Sequence, residues 1–181
     1  MTEASSPCVL WIDELEKAFA GVGGNNSGSE VTTRLFGSFL TWMQEKDSLA
    51  FVVATANKID SLPPELLRKG RFDETFYVDL PNETERKKIL EIHIKKRRAE
   101  DLSKIDLNKL VDKTEGYCGA DLEGVVREAI ESAFVKKKSA LATADLVEAI
   151  DNTHSLSEVM KDSIKNMKKI YEDLKLKSAS D

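Results

Sequence analysis

The stretch that most constrains the fold is Cys8-Val9-Leu10-Trp11-Ile12-Asp13-Glu14, near the start of the chain. An unbroken apolar run of this length is typical of a β-strand buried on both faces, as in a parallel sheet. Two adjacent carboxylates follow the run, so we expect them at the carboxyl edge of that sheet. Open α/β folds bind their ligands at this edge. The stretch therefore predicts an α/β fold with an acidic site.

This acidic pair has the chemistry of a nucleotide-hydrolysing site. Asp13 could hold Mg²⁺ on a bound nucleotide, because Mg²⁺ prefers carboxylate and phosphate oxygens. Glu14 could orient a water molecule for attack on the terminal phosphate. Two solvated carboxylates at the end of a strand would give the same sequence, so both interpretations stay open at this point.

A second apolar run, over residues 49–55, is followed by Asn57. If the two strands are parallel neighbours, Asn57 lies beside Asp13 and Glu14 at the same edge of the sheet. A neutral amide there can hydrogen-bond both a phosphate oxygen and the attacking water without adding charge. Asparagine also ends strands simply as a turn former, and that is the alternative.

Two arginines, Arg68 and Arg71, lie within the stretch Glu65-Leu66-Leu67-Arg68-Lys69-Gly70-Arg71-Phe72-Asp73. Guanidinium groups suit a terminal phosphate because they stay charged and bind in a fork. The simpler interpretation is a salt-bridged turn on the surface.

The rest of the sequence divides at Pro81. A third strand is expected at residues 75–78, and only helices are expected from Asn82 onward. These include a long amphipathic helix over 156–174, followed by a frayed polar tail. The predicted organisation is an α/β part (1–79), a helical part (80–153), and a last helix with its tail (154–181).

Composition narrows the function classes. The 181 residues are 41% hydrophobic and carry a net charge of −5, which arises entirely within the first 79 residues. No part is basic enough to predict a nucleic-acid groove, and no apolar run has membrane-spanning length. Cys8 and Cys118 are far apart in sequence, which favours a reducing compartment over a disulfide framework. We therefore expect a cytoplasmic protein with no nucleic-acid or membrane partner.

Taken together, these motifs resemble the second half of an AAA ATPase module. The acidic pair matches that family's Walker B motif, and residues 50–73 are similar to its second region of homology. Gly116-Tyr117-Cys118-Gly119-Ala120-Asp121-Leu122 looks like its sensor-2 segment, and the resemblance covers about residues 7–152. The amino-acid sequence around these motifs looks closest to a plastid and cyanobacterial-type branch of the family with a single AAA module. The implied fold is a partial parallel-sheet P-loop NTPase core followed by an all-helical lid domain.

The resemblance implies a role for each candidate residue, with ATP and Mg²⁺ as the ligands of the whole ATPase. Asp13 would coordinate Mg²⁺, Glu14 would be the base that polarises water, and Asn57 would be sensor 1. Arg68 and Arg71 would be arginine fingers that reach into the neighbouring subunit's site in a ring.

In the helical part, Gly119 and Ala120 would line the pocket for the base, since small side chains permit close approach. His93, in Ile89-Leu90-Glu91-Ile92-His93, would lie near the base or sugar. Taken by itself, His93 is more simply explained as a partly buried packing residue. Residues 21–28, rich in glycine, fall where the family often has a second pore loop, although a plain flexible connection explains them equally well.

One departure from the family is the lack of a Gly-x-x-x-x-Gly-Lys-Ser/Thr phosphate loop. We therefore expect a C-terminal fragment of an ATPase that remodels or unfolds proteins. Alone, it should neither bind ATP tightly nor hydrolyse it. Missing strands would leave bare apolar faces and edges that favour self-association. The alternative is a non-catalytic module that binds a partner or supplies Arg68 and Arg71 in trans.

The histidine content bears on which branch of the family the chain resembles. With only two histidines, the chain has no His-Glu-x-x-His metalloprotease motif, so nothing supports the membrane-protease branch. The expected location is the cytoplasm, or the stroma if a plastid genome encodes the protein. The sequence does not indicate which protein substrate it acts on.

Overall fold

The structure is a computed structural model that describes residues 5–19, 27–45, 47–68 and 70–180. It divides into two compact units, Met1–Thr75 and Phe76–Asp181. The sequence places the end of the α/β part four residues later, after Asp79. Most of the glycine-rich stretch 21–28 lies outside the described residues, and its last two positions begin a helix.

The first unit is built on two parallel strands joined through a helix. Its elements are β1 (Cys8–Ile12), α1 (Leu15–Ala18), α2 (Ser27–Glu45) and β2 (Ala50–Ala54), followed by 3-10 turns at Ile59–Ser61 and Pro64–Leu67. Strands β1 and β2 pair in parallel from Cys8 opposite Ala50 to Ile12 opposite Ala54. A helical connection between them is what parallel pairing requires. The predicted parallel pair is confirmed.

The described residues cover the sheet on one face only. Leu15, Phe36 and Leu66 form the buried core of this unit. On the other face Val9, Trp11 and Phe51 are 66%, 65% and 68% exposed. The expectation that β1 is buried on both faces is therefore wrong for the described residues, because no described helix packs on that side. The expected bare apolar face is present instead.

The second unit is mainly helical, as the sequence predicts. Its helices are α3 (Glu83–Arg98), α4 (Leu107–Asp112), α5 (Gly119–Val135), α6 (Thr143–Asp151), α7 (Leu156–Val159) and α8 (Lys161–Asp173), with a 3-10 segment at Ala99–Lys104. Asn82 caps α3 through a reciprocal capping box with Glu85. The core joins α3, α4, α5 and α6, with Leu90, Leu110, Leu122 and Leu146 fully buried.

A buried carboxylate ties this helical core to its loops. Asp101 accepts hydrogen bonds from the Leu141 backbone N–H at 3.0 Å and from the Arg98 Nε at 2.9 Å. The Leu141 N–H, followed by the Arg98 guanidinium, holds the pKa of Asp101 below its usual range. Because the folded state lowers this pKa, the stabilisation is present at neutral pH and is lost as the carboxyl protonates in acid.

The C-terminal end departs from prediction in two ways. The expected continuous helix over 156–174 is divided into α7 and α8 at Met160, whose φ of −117° and ψ of 26° lie outside the helical region. Ser155 caps the start of α7 by accepting from the Glu158 N–H. The expected frayed tail contains a strand, β4 (Lys177–Ser178), which pairs in parallel with β3 (Phe76–Tyr77). The predicted third strand therefore belongs to the second unit and does not extend the β1–β2 sheet.

Side-chain contacts explain this pairing. The rings of Tyr77 and Tyr171 stack with centroids 5.1 Å apart, and Lys168 Nζ lies 2.7 Å from Asp79 Oδ2. The Ala179 N–H then donates to the Tyr77 carbonyl at 2.9 Å. These contacts give the tail a partner that its own composition does not indicate.

Candidate active site

The acidic pair follows β1 directly, at the carboxyl end of the parallel pair. Glu14 has φ 51° and ψ 55°, in the left-handed region, which costs a non-glycine residue about 1–2 kcal/mol. Such a conformation persists where neighbouring contacts hold it. Here the Leu15 N–H donates to the Thr55 carbonyl at 2.8 Å, and the Glu14 N–H donates to the Thr55 Oγ1 at 3.1 Å.

Asn57 lies beside this pair, as the sequence predicts. Its side-chain Nδ2 donates to Glu14 Oε1 at 3.4 Å. Its backbone N–H donates to Glu16 Oε1 at 3.2 Å. Asp13, Glu14 and Asn57 thus occupy one edge of the β1–β2 sheet, brought together by two parallel strands that end at the same level.

Two further residues, Thr55 and Glu16, complete this hydrogen-bond network and were not singled out from the sequence. The hydroxyl of Thr55 donates to Asp13 Oδ1. Glu16 is only 9% exposed, and its Oε2 is buried without a hydrogen-bond partner in the described structure. The only sequence signal was weak, namely a threonine ending the second apolar run and a third carboxylate two positions after Glu14.

The carboxylates are accessible to a ligand. Asp13 is exposed, and the side chain of Glu14 is 39% exposed. Lys17 Nζ lies 2.6 Å from Glu14 Oε1, and this hydrogen bond with Glu14 raises the pKa of Lys17. An accessible carboxylate oxygen is the donor type that Mg²⁺ takes when phosphate oxygens and water supply its other ligands, so Asp13 fits that ion. Among the described residues, no group of three or more His, Cys, Asp or Glu side chains could hold a metal ion by itself.

The two arginines lie in the same unit, and in the described part of the chain neither forms a hydrogen bond or an ion pair with these three residues. Arg68 is exposed and makes no ion pair within the described part of the chain. The Arg71 guanidinium donates to the backbone carbonyl of Glu65, which shapes the turn after the second 3-10 segment. Leu66, 1% exposed, anchors that segment in the core beside Leu15.

The other candidates, His93, Gly119 and Ala120, lie in the second unit. Gly119 and Ala120 open α5, and a Cβ added at Gly119 would meet nothing within 4 Å. His93 Nδ1 on α3 lies 3.6 Å from Glu123 Oε1, one helical turn beyond Gly119. Arg97 donates to Glu123 at 2.6 Å, and this bond holds the pKa of Glu123 below its usual range. The histidine is therefore placed facing the start of α5.

The loop that enters α5 is fixed from the C-terminal side. Asp121 Oδ2 accepts from the Cys118 N–H at 2.9 Å and from the Leu156 N–H at 3.0 Å. Gly116 has φ +79°, and a Cβ built on it would lie 2.0 Å from the Ser157 Oγ. Position 116 therefore requires glycine for both its backbone conformation and the close approach of α7.

We expect Gly116→Ala to destabilise the second unit by about 2 to 3 kcal/mol, from left-handed strain plus overpacking. Gly124→Ala is the matched control: it lies inside α5 with nothing within 4 Å of an added Cβ. That change should stabilise the unit by about 0.5–1 kcal/mol, because alanine favours helix. Urea unfolding followed by circular dichroism measures both. Equal effects of the two substitutions would contradict the close approach described above.

A parallel-stranded α/β unit with an acidic edge, followed by a helical unit, is the architecture of a P-loop NTPase core with a helical lid. Comparison with known sequences makes the assignment specific. Residues 1–80 match the family described as "ATPase family associated with various cellular activities (AAA)", and residues 104–148 match the AAA+ lid domain.

Similar proteins agree with this match. The chain is 44% identical over 165 residues to "Uncharacterized AAA domain-containing protein ycf46" of Guillardia theta, covering 91% of this chain and 32% of that protein. For the protein with the same description in Pyropia yezoensis, the identity is 41% over 180 residues, covering 99% of this chain and 36% of that protein. The chain is also 39% identical over 153 residues to "ATP-dependent zinc metalloprotease FtsH" of Thermus thermophilus, covering 81% of this chain and 24% of that protein.

The chain belongs to the AAA ATPase family: its first part matches the AAA domain, and part of its helical unit matches the AAA+ lid domain. It spans about a third of the length of the two ycf46 proteins. No helix among the described residues is both long and apolar enough to cross a membrane.

Proposed function

We propose that this chain supplies the magnesium-binding and water-activating part of an ATP-hydrolysis site, in an ATPase that remodels or unfolds proteins. The observation that carries the proposal is the convergence of Asp13, Glu14 and Asn57 at the carboxyl end of two parallel strands. Each group has the chemistry that phosphoryl transfer to water needs, and the chain belongs to an ATPase family.

Each residue has a separate role in this proposal. Asp13 would hold Mg²⁺, which supplies charge neutralisation at the phosphates when bound. Glu14 accepts a proton from the attacking water and orients it. Asn57, which already donates to Glu14, keeps that carboxylate in place and offers its amide to the water or to a phosphate oxygen.

The remaining candidates serve binding and assembly. Arg68 and Arg71 act as arginine fingers on the neighbouring subunit's site in a ring, and the exposure of Arg68 supports that role. His93, Gly119 and Ala120 line the pocket for the base and sugar. Turnover depends on a phosphate loop, which these 181 residues do not contain, so we propose that this chain by itself neither binds ATP tightly nor hydrolyses it.

The proposed location and self-association of the protein follow from its membership of the AAA ATPase family. The protein acts in the cytoplasm, or in the stroma if it is encoded in a plastid genome. Self-association is expected through the exposed face formed by Val9, Trp11 and Phe51.

The test uses an ATPase-competent protein, meaning this chain joined to the N-terminal half of an AAA module, which supplies the phosphate loop and the remaining strands of the sheet. We expect Asp13→Asn to lower Mg²⁺-dependent ATP turnover by about 100-fold, because a neutral amide neutralises no charge. The matched control is Asp47→Asn, an exposed position outside the site, which should leave turnover unchanged. Phosphate release measured across a magnesium titration separates the two. If both variants turn over ATP like the parent protein, the proposal is wrong.

The bare apolar face also supports a second candidate, a non-catalytic module that binds a partner. The exposure of Arg68 supports the version in which this module lends its arginines in trans. A test of the trans role mixes this chain with an ATPase-competent protein in which both Arg68 and Arg71 are replaced by Ala. Recovery of turnover supports the trans role, and a chain carrying the same two substitutions is the control. No recovery counts against the trans role.

A further inference from the structure

We propose that Thr55 is a positioning residue that sets the geometry of both catalytic carboxylates. This inference rests on the proposed function, since it assigns Thr55 a role in the same hydrolysis site. Thr55 follows β2 directly and lies opposite the residues that follow β1.

Thr55 makes four hydrogen bonds to four consecutive residues. Its backbone N–H donates to the Ile12 carbonyl at 2.9 Å, and its carbonyl accepts from the Leu15 N–H at 2.8 Å. Its hydroxyl accepts from the Glu14 N–H at 3.1 Å and donates to Asp13 Oδ1. The backbone bonds would survive most substitutions, so the particular contribution of threonine is the hydroxyl.

That hydroxyl acts on the two carboxylates by different routes. The bond to the Glu14 N–H helps to hold Glu14 at φ 51°, a conformation that is unfavourable without support. The bond to Asp13 Oδ1 fixes the orientation of the carboxylate and leaves Oδ2 free of this bond. One hydroxyl uses both its donor and an acceptor position, which couples the backbone of Glu14 to the side chain of Asp13.

Two substitutions separate the hydroxyl of Thr55 from the shape of its side chain. Valine has nearly the shape of threonine but has no hydroxyl, so Thr55→Val removes both hydrogen bonds and little volume. Serine keeps the hydroxyl and loses only a methyl group. Thr75→Val is the matched control, since Thr75 is exposed and lies outside the site.

The first measurement is amide hydrogen exchange at Glu14 in the 181-residue chain, followed by NMR. We expect Thr55→Val to speed exchange at Glu14 by about 10-fold or more, because its N–H loses its acceptor. Thr55→Ser and Thr75→Val should stay within about 3-fold of the parent chain. Unchanged exchange in Thr55→Val would overturn the proposal. If that variant does not fold, Thr55→Ala provides the same comparison.

The second measurement is steady-state turnover in the ATPase-competent protein. We expect Thr55→Val to lower kcat by about 10- to 100-fold with KM for ATP within about 3-fold, since the chemical step depends on the carboxylates. Thr55→Ser should restore most of kcat, whereas a purely structural loss would lower stability in both variants.

The outcomes separate the two proposals. If Glu14→Gln abolishes turnover while Thr55→Val is as active as the parent protein, only the role of Thr55 is wrong. If Glu14→Gln leaves turnover unchanged, the proposed function fails and the role of Thr55 fails with it.

Discussion

Glu14→Gln is expected to lower ATP turnover in the ATPase-competent protein by about 10²- to 10⁴-fold, the usual contribution of a positioned base. Glutamine has nearly the size of glutamate and can still accept from Asn57 through its amide oxygen. It cannot take a proton from water at neutral pH. The expected defect is therefore in the chemical step, with ATP affinity close to that of the parent protein.

Phosphate release gives kcat, and equilibrium binding of ATP gives affinity. Glu45→Gln is a suitable control because Glu45 is an exposed glutamate at the end of α2. A loss of affinity as large as the loss of turnover would mean that Glu14 contributes to binding and not to the activation of water. Turnover within about 3-fold of the control would remove Glu14 from the mechanism altogether.

The residues at the carboxyl edge of the β1–β2 sheet could be predicted from sequence, because the pairing of buried parallel strands follows simple rules. Two apolar runs, each ending in polar residues, predict parallel strands whose carboxyl ends meet, and the structure places Asn57 against Glu14 as expected.

The supporting residues could not be anticipated in the same way. Thr55 bonds to residues about forty positions away, and the exact register of β1 against β2 decides which atoms meet. The burial of Glu16 was hard to predict for a similar reason. A carboxylate is normally exposed, yet α1 turns Glu16 inward toward the Asn57 N–H. Hydrogen bonds of this kind depend on tertiary geometry and leave no periodic signal.

The pairing of β3 with β4 shows the same limit at the C-terminus. Each strand has only two residues, and Lys177–Ser178 has little intrinsic preference for a strand. The pairing is accompanied by the Tyr77–Tyr171 stack and the Lys168–Asp79 ion pair, which join residues that are far apart in sequence. By contrast, the longer helices α3 and α5 carry apolar residues at helical spacing over several turns, which is why their existence was predictable.

Leu122→Ala is expected to destabilise the second unit by about 3–5 kcal/mol, through lost burial plus the cavity left behind. Leu122 is 0% exposed and lies one turn into α5, just after Gly119 and Ala120. Its neighbours come from several helices, so they cannot all move in to fill the space. The loss is a large fraction of the stability expected for a domain of this size.

Ile92→Ala on α3 is the matched control, since Ile92 is 61% exposed and should lose less than about 0.5 kcal/mol. Urea unfolding monitored by circular dichroism gives both values, and hydrogen exchange at Val125 and Val126 reports the second unit specifically. If the two variants unfold at the same urea concentration, Leu122 does not lie in the core of the unit. A large difference would instead show that the helix carrying Gly119 and Ala120 is held in place by the packing of its own unit.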